Sequence, residues 1–363
     1  MANIIAIATA VPDYCHRQKD ILHFMQQAYN LDATNRRKLA FMYSYSGIEN
    51  RYSVLNDFSL SPQQWQFTNV ESDEYTPLEK RMELYKQHAL PLSLKAARLC
   101  LAKVKEGLTI THLITVSCTG MSAPGLDLEL VEALQLSPNI FRTSVNFMGC
   151  YAGVHALKLG KMICDSHINA NVLIVATELC TLHFQQEYSP DNAASSLLFS
   201  DGSAAILMSN NQELQPIAKI TNFHSAIAFK GIKDMAWEIS SKGFLMTLSG
   251  YVPQLIEEDI TALVDEALQQ SNIAKEEVGY WCIHPGGRKI VDTIQKQLGL
   301  NDCDTQPARE VLRNYGNMSS ATIFFVLDEI CRQAKQQSKS SRALGVAFGP
   351  GLTMETFTAD IAS

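Results

Sequence analysis

Three side chains in this sequence could together make and break a thioester. Cys150 follows a glycine in Asn146-Phe-Met-Gly149-Cys150-Tyr-Ala-Gly153, where a helix is expected to begin. Amides at a helix N-terminus and the macrodipole, equivalent to roughly +0.5 charge, lower a thiol's pKa and favour the nucleophilic thiolate. Cys150 is therefore a candidate acyl carrier. A small buried cysteine packed like alanine is the plainer reading, and it suits most of the other eight. His284 ends the apolar run Tyr280-Trp-Cys-Ile283, and the Pro285-Gly-Gly287 turn after it would present the imidazole into a cleft. There it could form an ion pair with Cys150 and donate to an oxyanion, although strand-end histidines are usually structural. Asn317 follows Gly316. Its neutral amide is neither nucleophile nor base, so its useful role is to donate N–H to a thioester oxygen or enolate. A turn-forming Gly-Asn pair is the other reading.

These residues must be carried by elements that meet. Short apolar, β-branched runs at Leu113–Val116, Val172–Ala176, Ala204–Met208, Trp281–Ile283 and Leu344–Phe348 read as strands, and so does the start Met-Ala-Asn-Ile-Ile-Ala-Ile-Ala-Thr-Ala. Residues 77–104 and 252–270 carry apolar residues at helical spacing. Such alternation predicts a layered α/β architecture. The two halves also resemble each other. His112-Leu-Ile-Thr-Val-Ser followed by Pro124-Gly125 has its counterpart in Val278-Gly-Tyr-Trp-Cys-Ile followed by Pro285-Gly286. The Gly149-Cys150 unit is matched by Gly316-Asn317, each read as a strand-to-helix turn. Each half then closes on a Gly-containing strand pair, Phe199-Ser-Asp-Gly202 and Phe348-Gly-Pro-Gly351. The expectation is a duplicated chain meeting near residues 210–220, with halves 1–212 and 213–363. Small residues after Cys150 and Asn317 would let two helix starts approach closely and share one pocket.

Composition narrows the rest. With 46% hydrophobic and 18% charged residues the chain is globular, and 30 basic against 37 acidic residues, a net −7, favours neither nucleic acid nor an anionic membrane. The nine cysteines are never closer than 14 residues, which removes CxxC chemistry and suggests reduced thiols in a cytoplasm. No apolar run approaches the ~18 residues of a membrane span. Gly120-Met-Ser122-Ala-Pro124 has proline where a hydrolase elbow needs glycine, and Gly349-Pro-Gly351 lacks the third glycine of a dinucleotide loop. No metal, nucleotide or flavin is expected.

Taken together, the Cys, His and Asn set and the duplication resemble the thiolase superfamily, and specifically the chalcone synthase-like type III polyketide synthases. The carrying segments are Ser117-Cys-Thr-Gly-Met-Ser-Ala-Pro-Gly-Leu-Asp127, Gly149-Cys-Tyr-Ala-Gly153, Phe199-Ser-Asp-Gly-Ser-Ala-Ala205, His284-Pro-Gly-Gly287, Tyr315-Gly-Asn-Met-Ser-Ser-Ala321 and Ala347-Phe-Gly-Pro-Gly-Leu-Thr353. The resemblance implies a five-layer αβαβα fold and a homodimer without a cofactor. Its substrates would be malonyl-CoA and an acyl-CoA starter, with Cys150 loaded and His284 and Asn317 stabilising the enolate from decarboxylation. Repeated extension and cyclisation would give a pyrone, resorcinol or phloroglucinol. Phe199 matches the gatekeeper between the CoA tunnel and the cavity, and Met246 stands where a second gatekeeping Phe is expected. His183, Trp237 and Ser319 fall at cavity-shaping positions, the first two differing in type from the plant residues. Cys118 and Ala123 lie in the loop that lines the cavity, Ala123 at the position that reaches across the dimer, and Gly286 counts among the substrate contacts. Of the family's basic CoA contacts only Lys38 persists, with Phe41 and Tyr45 at the other two, and Arg36, Arg37 or Arg51 could compensate. A ketoacyl synthase III-like enzyme condensing once on a carrier protein is the nearest rival. A non-catalytic partner subunit is the second, although the intact trio argues against it.

Overall fold

The structure is a computed structural model that describes residues 2–68, 75–104 and 107–363; Met1, part of the expected first strand, lies outside them. The first half runs β1 (Asn3–Ala10), β2 (Tyr14–Arg17), α1 (Gln18–Ala28), α2 (Ala33–Ser44), β3 (Asn50–Ser53), α3 (Leu78–Leu101), β4 (His112–Ser117), α4 (Leu126–Ala133), β5 (Phe141–Asn146), α5 (Ala152–Ser166), β6 (Asn171–Leu179), α6 (Pro190–Leu198) and β7 (Asp201–Ser209). The second runs β8 (Ala218–Ile227), β9 (Met235–Ser240), β10 (Gly243–Leu248), α7 (Val252–Ser271), β11 (Val278–Ile283), α8 (Arg288–Leu298), α9 (Asp302–Tyr315), α10 (Thr322–Gln337), β12 (Ser341–Gly349) and β13 (Thr353–Ile361). The strands and the two helices expected from periodicity are all present.

Nine strands form one sheet in the order β11-β12-β13-β8-β1-β7-β6-β4-β5. Followed outward from its middle, β1-β7-β6-β4 and β8-β13-β12-β11 repeat the same senses. β7 and β13 are antiparallel to both neighbours, whereas β6–β4 and β12–β11 are parallel. The halves join where β1 and β8 pair over two residues, Asn3 with Lys219 and Ile4 with Ala218.

Apolar packing sorts these elements into layers. α3 and α4 cover the outer face of the first half, α7 and α8 that of the second, and α5 with α10 fill the space between. The stack is thus α, β, α, β, α, the five layers expected. β6 and β7 are buried along their whole length, which is why their sequences lack the alternation of a half-exposed strand. In the middle layer the small residues let the helix starts close up. A Cβ added to Gly153 would fall 2.4 Å from the Ser320 carbonyl oxygen.

Two expectations about the repeat fail. No strand precedes Asn317. α9 runs up to Tyr315, its buried residues Thr305, Ala308, Val311 and Leu312 at helical spacing, and Gly316 at φ +70° turns the chain into the next helix. The counterpart of β5 is reduced to one bridge, Phe199 with Asn317. The closing strand pairs also differ: α6 separates β6 from β7, so Phe199–Gly202 leads into a strand, whereas Phe348–Gly351 turns between β12 and β13. Among the described residues no helix is long and apolar enough to cross a membrane.

Candidate active site

Cys150, His284 and Asn317, from both halves, line one cavity of about 40 Å³. Cys150 sits in the turn two residues before α5. The turn depends on Gly149, whose φ is +83° and where a Cβ would lie 2.2 Å from the Pro350 ring. His284 directly follows β11, and its backbone N–H donates to Val346 O at 2.9 Å. It is 1% exposed, and neither ring nitrogen has a hydrogen-bond partner among the described residues. Asn317 is clamped through its backbone, donating to Leu198 O and accepting from Ser200 N–H, both at 2.9 Å. Its Oδ1 accepts from the Ser319 N–H at 2.8 Å and the Thr322 hydroxyl at 3.3 Å. Those donors fix the amide so that Nδ2, the donor end, faces Gly286 O at 3.4 Å on the cavity wall.

The electrostatics reverse one expectation. Burial pushes the Cys150 thiol up from 9.0 to about 11, Glu178 adds repulsion, and hydrogen bonds from Ser319 and Asn317 only partly oppose them. A rise of two units corresponds to about 2.7 kcal/mol, more than the 0.3–1 kcal/mol a helix terminus typically supplies. Burial likewise drives His284 down to about 3. Both shifts run against the expected ion pair and favour a neutral thiol and a neutral imidazole.

The other residues singled out fall into three groups. Phe199 and Met246 line this cavity and also a second one of about 20 Å³, so they form the wall between the two. Trp237 and Gly286 line the first cavity and His183 the second, with the His183 and Trp237 rings in T-shaped contact at 4.7 Å. Cys118 and Ser319 lie just behind the first cavity, against the Cys150 turn. Cys118 is wholly buried beneath the Cys150 turn, its sulfur accepting from the Gly149 N–H at 3.1 Å. Ser319 is buried at φ +49°, close enough to the Cys150 thiol to favour its thiolate. Lys38 lies exposed on α2 and lines neither cavity, while the exposed rings of Phe41 and Tyr45 meet at a tilt, 4.4 Å between centroids. Arg51, offered as a compensating cation, points into the protein. It is 4% exposed and donates inward to Ser196 O and Phe199 O. Ala123 lines a separate surface depression near β5.

Sequence reasoning missed Glu178. Its carboxylate accepts from the Cys118 N–H at 2.9 Å and from the Ser320 hydroxyl, tying the two halves together behind Cys150. Burial raises it from 4.5 to about 7. The signal was available: it is the one charged residue in the wholly buried strand Asn171–Leu179, and acids are rarely buried without a purpose.

A duplicated five-layer fold that brings a cysteine, an imidazole and a carboxamide to one cavity defines a condensing enzyme of the acyltransferase type. The chain belongs to the chalcone and stilbene synthase family of type III polyketide synthases: the family's N-terminal domain matches residues 1–212 and its C-terminal domain residues 225–361. It is 29% identical to the alpha-pyrone synthesis polyketide synthase-like Pks18 of Mycobacterium tuberculosis and Mycobacterium bovis, over 99% of this chain and 91% of that protein. Among solved structures it is similar to PKS-I of the brown alga Ectocarpus siliculosus (27% identity, TM-score 0.92, covering 99% of this chain and 98% of that one). It is also similar to the C-terminal type III polyketide synthase domain of Steely1, a type I/III hybrid from Dictyostelium (25% identity, TM-score 0.90, covering 100% and 99%).

Proposed function

We propose that this enzyme loads an acyl starter from its CoA thioester onto Cys150, extends it with malonyl-CoA and cyclises the product to a pyrone, resorcinol or phloroglucinol. The observation that carries the reading is the meeting of Cys150, His284 and Asn317 in one cavity. With thiol and imidazole both neutral, His284 takes the Cys150 proton as sulfur bonds to the starter carbonyl. It returns that proton to the departing CoA sulfur, and the acyl group stays on Cys150. Malonyl-CoA then loses CO2, and the electron pair of the broken bond becomes an enolate whose oxygen receives hydrogen bonds from Asn317 Nδ2 and His284. The enolate carbon attacks the Cys150 thioester, forming a carbon–carbon bond and releasing the thiolate for the next round. No metal or organic cofactor enters these steps, and nucleic acid and membrane have no part in them.

The same reading makes the enzyme a cytoplasmic homodimer. β5 is an edge strand with Phe141 65% exposed, a surface a second copy would cover. All nine cysteines are unpaired, as in a reducing compartment. A pyrone is the favoured product class because the mycobacterial relatives are named for alpha-pyrone synthesis. The test is incubation with malonyl-CoA and a panel of acyl-CoAs, without carrier protein, with products read by mass spectrometry. Cyclised tri- or tetraketides are expected. A single β-ketoacyl product formed only with carrier protein would overturn the reading.

A further inference from the structure

The second cavity, behind Phe199 and Met246, holds polar groups that the mechanism above does not use. Arg51 and His183 both line it, at 4% and 8% exposure. Arg51 commits Nε to the Gln18 side chain and Nη1 to two carbonyls, and its guanidinium also lies against the Tyr43 hydroxyl and near Asp201, but its buried Nη2 has no hydrogen-bond partner of good geometry among the described residues. Neither ring nitrogen of His183 has one either. A buried donor without a partner is destabilising, so two donors at one cavity leave a standing demand for an acceptor oxygen. The neighbouring polar groups are already committed. Thr181 binds Asp201, and Gln185 Nε2 donates to the carbonyls of Lys242 and Phe244.

His183 is held in place rather than mobile. Arg81 donates to the carbonyls on either side of it, Leu182 O and Phe184 O, and the ring packs on Phe244 at 4.4 Å and Trp237 at 4.7 Å. Burial, reinforced by the Arg81 charge, keeps the imidazole neutral, so it offers one N–H donor. The chamber's 20 Å³ admits about one oxygen-sized group. Met246, unbranched and flexible, is the movable part of the wall that separates it from Cys150.

We infer that this chamber is a carbonyl-recognition subsite, in which His183 and Arg51 donate to a keto oxygen near the tip of the acyl chain carried by Cys150. Keto-bearing chains are thereby favoured over unbroken alkyl chains. The inference rests on the proposed thioester chemistry, and it names the class of chain that chemistry extends.

The experiment compares 5-oxohexanoyl-CoA with hexanoyl-CoA, equal in length and different by one oxygen, as starters with malonyl-CoA. It reads kcat/KM for extension and, by intact-protein mass, acyl loading of Cys150. Wild type is expected to favour the keto starter by about 10- to 100-fold. His183→Phe, which keeps ring packing but removes the donor, should bring the ratio near unity, and His183→Gln should restore part of it. His183→Leu serves as the second apolar variant if His183→Phe does not fold. Loading and extension with no keto preference, or an unchanged ratio in the apolar variant, would overturn the subsite and leave the proposed function standing. Failure of both starters to load Cys150 or be extended would overturn both.

Discussion

Replacing Glu178 by Gln should change the pH dependence of stability by a calculable amount. In the folded protein the carboxyl titrates at about 7, against an ordinary value of 4.5. A raised carboxyl means that the folded state holds its proton more firmly than the unfolded chain does. The stabilisation is therefore full below about pH 4.5 and is lost as pH rises to about 7. The difference of 2.5 units corresponds to about 3.4 kcal/mol, of which about 2.5 kcal/mol falls between pH 5 and pH 8. Gln is nearly isosteric: its carbonyl can accept from the Cys118 N–H and its amide can donate to the Ser320 hydroxyl, so rearranged hydrogen bonds give an offset that does not vary with pH. Asp201, also raised by burial, to about 6, is present in both proteins and cancels. An unfolding entropy of about 2 cal/mol/K per residue makes 2.5 kcal/mol worth about 3 °C in a chain of this length. Thermal melts of both proteins from pH 5 to pH 8 should show the variant gaining about 3 °C on wild type as pH rises. A constant difference across that range, or one that shrinks, would refute the assignment of a proton to this buried carboxyl.

Alkylation of Cys150 by iodoacetamide, followed by peptide mapping, should accelerate about tenfold per pH unit from 6.5 to 9.5, as a thiol pushed up to about 11 requires; a plateau below pH 8 would restore the ion pair. Gly153→Ala puts a methyl 2.4 Å from Ser320 O and should cost about 1–3 kcal/mol by thermal melt; wild-type stability would mean the central helices stand further apart. Asn317→Ala should slow malonyl-CoA decarboxylation, read as CO2 release, by about 10²–10³-fold, while Cys150 still takes up starter. An unchanged rate would remove Asn317 from the reaction.

The meeting of the three side chains was legible because it rests on residue type and local context. Cys150 after a glycine at a helix start, His284 at a strand end and Asn317 at the matching place all reach one cavity. Its electrostatics were not legible. A helix terminus can be read from sequence, but desolvation depends on what the other half of the chain packs over the turn, here Pro350 and the Ser319 segment. The missing strand before Asn317 was obscured for a related reason. Motif matching aligned Gly316-Asn317 with Gly149-Cys150 and carried the strand across, although Thr305, Ala308, Val311 and Leu312 already spelled out a helix face. Arg51, placed with surface cations by its charge alone, is buried at the edge of a cavity that only the folded chain encloses.

That asymmetry between halves bears on how one cavity can do two kinds of chemistry. Had the second half kept a strand before Asn317, the sheet would have continued and the Asn317 backbone would have been spent on its own half. Instead its N–H and carbonyl bind Leu198 and Ser200 of the other half, on either side of Phe199. Two backbone hydrogen bonds therefore tie Asn317 to the residues flanking Phe199, whose ring walls the cavity. The neutral thiol completes the arrangement. In the proposed reaction the shifts that favour a neutral thiol and a neutral imidazole would let charge develop only as sulfur meets a thioester carbonyl.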